Sequence, residues 1–312
     1  MRRLCSYLAR GLILSVSVGQ AIAGSSRGTV GFAFLRTPWA PRPAAMGGAF
    51  VAVSGDPTGV GFNPAGSYDV AERTLHASFA DYLLDFATGC VAFSHHLGII
   101  GRGEFSAAFM TYGKFQETDA SGLRTGRTFG AGTIVVSETV ARPLLRNLLG
   151  GVTLKYVHSY IDVYSSQAFL ADFGLLFHTP VPDLDVGFAV QNVGKVLSPF
   201  LAAKDKLPLC YRIGWSKRLA HLPLLYAVEL FKYPDDDYQF AIGGEFTLTP
   251  HLFLRWGYCS LARQMKLGMD ADQFAGVSVG VGFLWRGYRL DYALSSFGQL
   301  GTVNRFGLNA AL

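Results

Sequence analysis

Period-two alternation of apolar with small or polar residues runs from Arg73 to Leu312, and it constrains the fold more than any other feature of the sequence. Around 238–248, Tyr238, Phe240, Ile242, Phe246 and Leu248 occupy one set of positions, against Gln239, Ala241, Gly243, Glu245 and Thr247 on the other. The same split recurs with Leu209, Tyr211, Ile213 and Trp215 against Cys210, Arg212, Gly214 and Ser216. Val277, Val279, Val281 and Phe283 repeat it against Ser278, Gly280 and Gly282. Successive side chains of a strand point to opposite faces, so each run describes a strand with one greasy face and one small or polar face. About fourteen runs can be counted, near 73–81, 86–95, 103–115, 127–138, 150–160, 168–178, 184–193, 207–218, 223–233, 238–247, 251–260, 274–284, 287–294 and 302–312.

Composition decides what such strands can build. Charged residues are 16% of the chain, against about a quarter in ordinary soluble domains. A soluble β-sandwich would bury its greasy faces against each other and show a charged exterior. Here the second faces carry Gly, Ala, Ser and Thr instead. No apolar run after the first 23 residues reaches the ~18 residues of a transmembrane helix, which excludes a helical membrane protein and leaves a barrel open. Lipid cannot hydrogen-bond a free strand edge, so strands that cross a membrane must close on themselves. An all-β, transmembrane antiparallel β-barrel of about fourteen strands is therefore expected, an even number as such barrels require.

Residues 1–23 read as a secretory signal peptide, with Arg2, Arg3 and Arg10 before an apolar stretch and Ala21-Ile22-Ala23 at its end. Its removal takes three arginines and no acid from the 27 basic and 22 acidic residues, leaving 24 against 22. So small an excess argues against a nucleic-acid partner. Cys5 leaves with the leader, and the odd number that remains (Cys90, Cys210, Cys259) gives no disulfide framework. Residues 24–72 are rich in Gly, Ala and Pro and lack alternation; Asp56-Pro57 and Asn63-Pro64 each predict a short helical turn, a capping side chain preceding a proline of fixed φ. Residues 73–312 form the expected barrel. If its first strand runs outward, the longer stretches 116–126, 194–206, 261–273 and 295–301 are external and the turns 179–183, 219–222, 248–250 and 285–286 periplasmic, as barrels of this class prefer. The apolar stretch 139–149 breaks that trend as a long periplasmic connection.

Chemistry-bearing motifs are few. Gly276-Val277-Ser278-Val279-Gly280 has the spacing of a nucleophile elbow but no helix follows it and no His lies beyond His251, so no catalytic residue is assigned. His95-His96 point to opposite faces of a strand and Asp235-Asp236-Asp237 lack an accompanying ligand loop, so neither is read as a metal site, and no cofactor is expected. Alternation places Lys155, Asp172, Arg212, Glu245, Arg255, Arg289, Asp291 and Arg305 on the inner face. An Arg or Lys on the lipid side would cost about 2–4 kcal/mol at the membrane midplane. Their expected role is pairing with one another and with backbone inside the lumen. Leu197, Phe200 and Leu201, with Lys204 beside them, are the candidate contacts for a greasy ligand in an external loop. Tyr112, Tyr160, Tyr233, Trp256, Tyr258, Trp285 and Tyr288 are expected in the aromatic girdles.

The N-terminal segment also carries a signature: Arg42-Pro43-Ala44-Ala45-Met46-Gly47-Gly48-Ala49-Phe50-Val51-Ala52-Val53, then Asp56-Pro57-Thr58 and Phe62-Asn63-Pro64-Ala65-Gly66. It resembles the PorV/PorQ-type outer-membrane proteins, a family related to the FadL long-chain fatty acid transporters. Gln191-Asn192-Val193-Gly194, Leu254-Arg255-Trp256-Gly257-Tyr258 and Asp291-Tyr292-Ala293-Leu294 extend the likeness across the chain. The resemblance implies a fourteen-stranded barrel whose residues 24–72 fold inside the lumen as a hatch, with Met46, Gly47, Gly48, Asn63, Pro64, Ala65 and Gly66 as its motif. It further implies an outer-membrane location, no enzyme activity, and inward diffusion of hydrophobic small molecules such as long-chain fatty acids. Outer-membrane lipid and the barrel-insertion machinery are the implied partners. A platform for a secretion-system protein, as in PorV-like members, and a general porin are the alternative roles. Short external loops and a final Leu312, where an aromatic is usual, depart from the FadL pattern.

Overall fold

The computed structural model describes residues 30–202, 205–266 and 268–312. The expected leader and its cleavage site lie outside this range. Fourteen strands form one closed antiparallel barrel. They are β1 (Thr74–Asp81), β2 (Ala87–His96), β3 (Arg102–Thr118), β4 (Arg124–Leu145), β5 (Leu148–Ile161), β6 (Tyr164–His178) and β7 (Leu184–Ser198). The second half comprises β8 (Cys210–Arg218), β9 (Leu224–Lys232), β10 (Tyr238–Thr249), β11 (Leu252–Cys259), β12 (Val277–Trp285), β13 (Tyr288–Ser296) and β14 (Thr302–Ala311). Each strand pairs with its sequence neighbours, and β1 closes on β14 through partners such as Leu75 with Ala310 and Phe79 with Phe306.

Alternation becomes two surfaces. On β8, Tyr211, Ile213 and Trp215 face outward while Cys210, Arg212, Gly214 and Ser216 are buried on the lumen side. Phe79, Val91, Phe109, Leu154, Phe173, Leu230, Val279 and Phe306 continue the exposed apolar surface around the wall. No helix among the described residues is long and apolar enough to cross a membrane; the strands supply the lipid-facing surface.

Where strand ends differ from expectation, the sequence is greasy beyond the alternating run. β4 continues through Pro143 to Leu145, so the expected long connection 139–149 is a tight turn at Arg146 and Asn147. β7 continues to Ser198 after an irregularity at Asn192, whose φ of 61° is left-handed. That bulge exchanges the two faces of the strand: Val196 is buried inside and Leu197 is 48% exposed outside. Two of the expected girdle aromatics are inside as well. Tyr112 packs against Phe86, and Tyr233 is buried beneath Arg36.

The barrel ends differ. Turns at 97–101, 146–147, 179–183, 219–223, 250–251 and 286–287 are short. The opposite end carries the connections 199–209 and 260–276, and the β3–β4 hairpin extends there past its neighbours, since β2 pairs with β3 only as far as Thr111. Residues 30–72 run against the lumen-facing side of the wall. Pro57–Gly61 and Pro64–Asp69 form 3-10 turns, capped by Asp56 accepting from Thr58 N (2.9 Å) and by Asn63 accepting from Ala65 N (3.0 Å). A short α1 (Pro41–Ala45) precedes them.

Glycines on successive strands let this segment seat itself. A Cβ on Gly174 would lie 2.0 Å from Asn63 Oδ1, one on Gly187 2.1 Å from the Val51 carbonyl oxygen, and one on Gly243 2.3 Å from that of Met46. Gly151 and Gly174, Gly187 and Gly214, and Gly243 and Gly257 are directly opposite each other across neighbouring strands. The small face of each alternating run is thus the bed on which residues 41–66 lie.

Candidate functional site

A closed cycle of six charges, five of them buried and Arg289 partly exposed, ties the N-terminal segment to one side of the wall. Arg42 donates from Nη1 to Asp56 (2.9 Å) and from Nη2 and Nε to the two oxygens of Glu245 (2.8 Å each). Arg255 donates to Glu245 and to Asp291 (2.6 Å each), Arg289 Nε donates to Asp291 (2.8 Å), and Arg289 Nη2 returns to Asp56. Three guanidiniums face three carboxylates, so the cycle is electrically neutral. Burial opposes ionisation of Asp56, but Arg289 and Arg42 outweigh it and hold its carboxyl well below the usual carboxylate range. Nearby, Arg212 pairs with Glu229, whose other oxygen accepts from the backbone N–H groups of Phe50 and Val51 (2.9 Å each). Lys155 pairs with Asp172 and donates to Asn192 (3.1 Å), while Asp172 accepts from the Asn192 backbone N–H (2.7 Å) and so holds the β7 bulge.

Residues 33–40 are held differently. Pro38 O accepts from Arg305 Nε (3.1 Å), Trp39 O accepts from Ser78 Oγ (3.3 Å), and Arg36 lies 4.1 Å above the ring of Tyr233. No ion pair fastens this stretch among the described residues. It separates two cavities, since Arg36, Thr37, Pro38, Phe62 and Arg212 line both. The smaller, of about 50 Å³, lies toward β2, β3 and β5 beside Cys90, Ala92, Ser106 and Lys155.

The larger cavity, of about 300 Å³, sits at the end with the long connections. Phe62, Tyr82, Phe231, Tyr233, Leu261, Met265 and Phe297 give it apolar walls. Arg36, Arg212 and Arg305 also line it, and no Asp or Glu does among the described residues. A concave, mainly apolar space with a few convergent polar groups is the usual form of a small-molecule site.

The chain's shape is similar to those of several solved outer-membrane proteins. The toluene transporter TbuX of Ralstonia pickettii superposes with a TM-score of 0.59 at 14% identity, covering 87% of this chain and 96% of that one. The toluene transporter TodX of Pseudomonas putida gives 0.55 at 10% identity (86% and 95% covered). A FadL homologue of Pseudomonas aeruginosa gives 0.53 at 11% (87% and 97%). The fold is that of the FadL-like transporters. Two of these neighbours are toluene transporters and the third is a FadL homologue. No family model and no curated protein matches the sequence, and the PorV/PorQ-type side of the resemblance gains no support from these comparisons.

Within this FadL-like fold, Asn63 spends its whole amide on the contact between segment and wall: Nδ2 donates to Val51 O (2.7 Å) and Leu175 O (2.9 Å), and Oδ1 accepts from Ala65 N. Pro64 and Ala65 lie against Gly151 of β5. Met46 is fully buried with Phe50, Phe62 and Phe231, and Gly47 and Gly48 turn the chain beside it with φ of 65° and 80°. Gly66 backs onto Val53 O, 3.2 Å from where its Cβ would be. All eight expected lumen charges are on the inner face, and four of them (Glu245, Arg255, Arg289, Asp291) belong to the cycle.

The candidate ligand contacts are placed elsewhere. Leu197 faces outward and Leu201 is exposed, Phe200 is half-buried, and none of the three lines either cavity; Lys204 lies outside the described residues. Ser278 stays within β12 and donates to Ser295 (3.0 Å), which leaves no elbow. His95 meets Glu138 on the outer wall (3.2 Å), and Asp236 takes part in an outer turn. Asp56 was read only as a helical cap and Arg42 only as part of the N-terminal signature, not as charge partners, and Glu229 was not singled out. Glu104, fully buried on the inner face of β3, was also missed, and neither of its carboxylate oxygens is hydrogen-bonded in the described structure.

Proposed function

We propose that this chain is an outer-membrane channel that admits small hydrophobic molecules, with residues 24–72 acting as a hatch. The apolar cavity of about 300 Å³, resting on the segment that fills the lumen, carries this reading. Its volume also speaks to size. A dry cavity of about 150 Å³ accepts one benzene, so twice that suits about a dozen non-hydrogen atoms and favours one-ring or short-chain molecules over long-chain fatty acids. The neighbouring toluene transporters support the same substrate class. A general porin needs an open aqueous lumen, and here the buried charge cycle and the glycine-seated segment occupy it.

The test is calorimetric titration of the refolded, detergent-solubilised chain with ethylbenzene, alongside Leu261→Asp. Saturable binding that drops at least tenfold in the variant is expected. A heat-modifiable, folded barrel that binds no apolar solute would contradict the reading and favour the platform role, for which a co-purifying protein is the sign.

A further inference from the structure

The lining of the large cavity is electrically lopsided. Of its three arginines, Arg212 is neutralised by Glu229. Arg305 is 1% exposed and has no carboxylate partner among the described residues; its hydrogen bonds go to the neutral oxygens of Pro38 and Ser295, and its guanidinium lies 5.9 Å from the Tyr82 ring. Arg36 likewise has no acidic partner among them, and its Nε is buried without a hydrogen bond. A guanidinium offers five donors and keeps its proton, so it cannot escape an apolar site by neutralising. Such charges are ordinarily paired when buried. The buried lumen arginines Arg42, Arg212 and Arg255, and the partly exposed Arg289, all face carboxylates.

We propose that the missing carboxylate is the ligand's: the cavity takes a small organic acid, with an apolar body of about one ring against Phe231, Leu261 and Phe297 and its carboxylate on Arg305 or Arg36. This rests on the channel reading above and narrows its substrate class. Selectivity follows from the charge arrangement. A neutral hydrocarbon fills the apolar walls but leaves both guanidiniums unanswered, whereas an acid of the same shape answers one of them. An amine is repelled.

The comparison is between 3-phenylpropionate and its primary amide, which have the same number of non-hydrogen atoms, titrated at pH 7 into the folded full chain. The acid is expected to bind at least tenfold more tightly. Arg305→Gln and Arg36→Gln, each shown to remain a heat-modifiable barrel, are tested in parallel. At least one should abolish that preference, the acid then binding no more tightly than the amide. Equal binding of acid and amide by the wild type, or an acid preference that survives both substitutions, would overturn the inference and leave the channel reading standing. Failure of both ligands and of ethylbenzene to bind would overturn both.

Discussion

At the scale of single residues, the charge cycle makes the sharpest demands. Removing one member of a buried, hydrogen-bonded pair strands the other and costs about 3–5 kcal/mol. Arg42→Met strips Asp56 of one partner and Glu245 of its two-point contact, but Arg289 and Arg255 still face them, so it should loosen the N-terminal segment by less than that range while the wall stays closed. Limited proteolysis should then cut within 41–66 in a chain that still migrates as a folded barrel. Asp56 sets the pH response. Because its folded pKa is depressed, its contribution is complete above the unfolded value of about 3.9 and is lost as pH falls through the folded value. Planar-bilayer conductance should therefore stay low from pH 7 to pH 5 and rise only below about pH 4; a rise at pH 5–6 would assign the clamp to another group. Alternation was enough to read the inner-face charges, because a one-residue slip would put each on lipid. It could not give their partners, since it fixes faces and not registers. Glu229 escaped because β9 is greasy on both sides: Leu225, Phe231 and Tyr233 share its inner face, so the strand shows no polar side.

Elements bring in the glycines. Gly243 lies under the Met46 carbonyl, and a side chain there must displace the segment or distort β10. Gly243→Val should yield a barrel with a dislodged segment and a higher ion conductance, whereas Gly61→Ala, whose Cβ meets nothing within 4 Å, should behave as wild type. Equal conductance in the two variants would mean that the segment does not close the lumen. The strands were legible because each keeps its period, and the two 3-10 turns were legible from Asp56-Pro57 and Asn63-Pro64. Strand ends were not, where Pro143, Leu144 and Leu145 keep an apolar texture beyond the expected stop. The β7 bulge was invisible for a different reason. A left-handed Asn192 leaves no periodic trace, yet it turns Leu197 to the outside of the wall.

For the whole molecule, the wall and the segment divide the work. One side, β10 to β13, grips residues 41–66 through ion pairs, while residues 33–40 lie between the two cavities without an ion pair among the described residues, held by hydrogen bonds from Arg305 and Ser78, by apolar packing of Phe34 and Trp39 and by a cation–π contact. The architecture could be read from the sequence because closure is the single solution for so many half-greasy strands in lipid. The cavity could not, since it is assembled from Phe62, Tyr82, Phe231, Leu261 and Phe297, which lie far apart along the chain. The most direct test is the initial rate at which radiolabelled naphthalene enters intact cells whose outer membrane carries this chain, compared with a polar solute such as sucrose. Faster entry of naphthalene, lost with Leu261→Asp and without any gain in sucrose entry, is the predicted result. Naphthalene entry unchanged by the folded wild-type chain, or sucrose admitted equally well, would contradict the account.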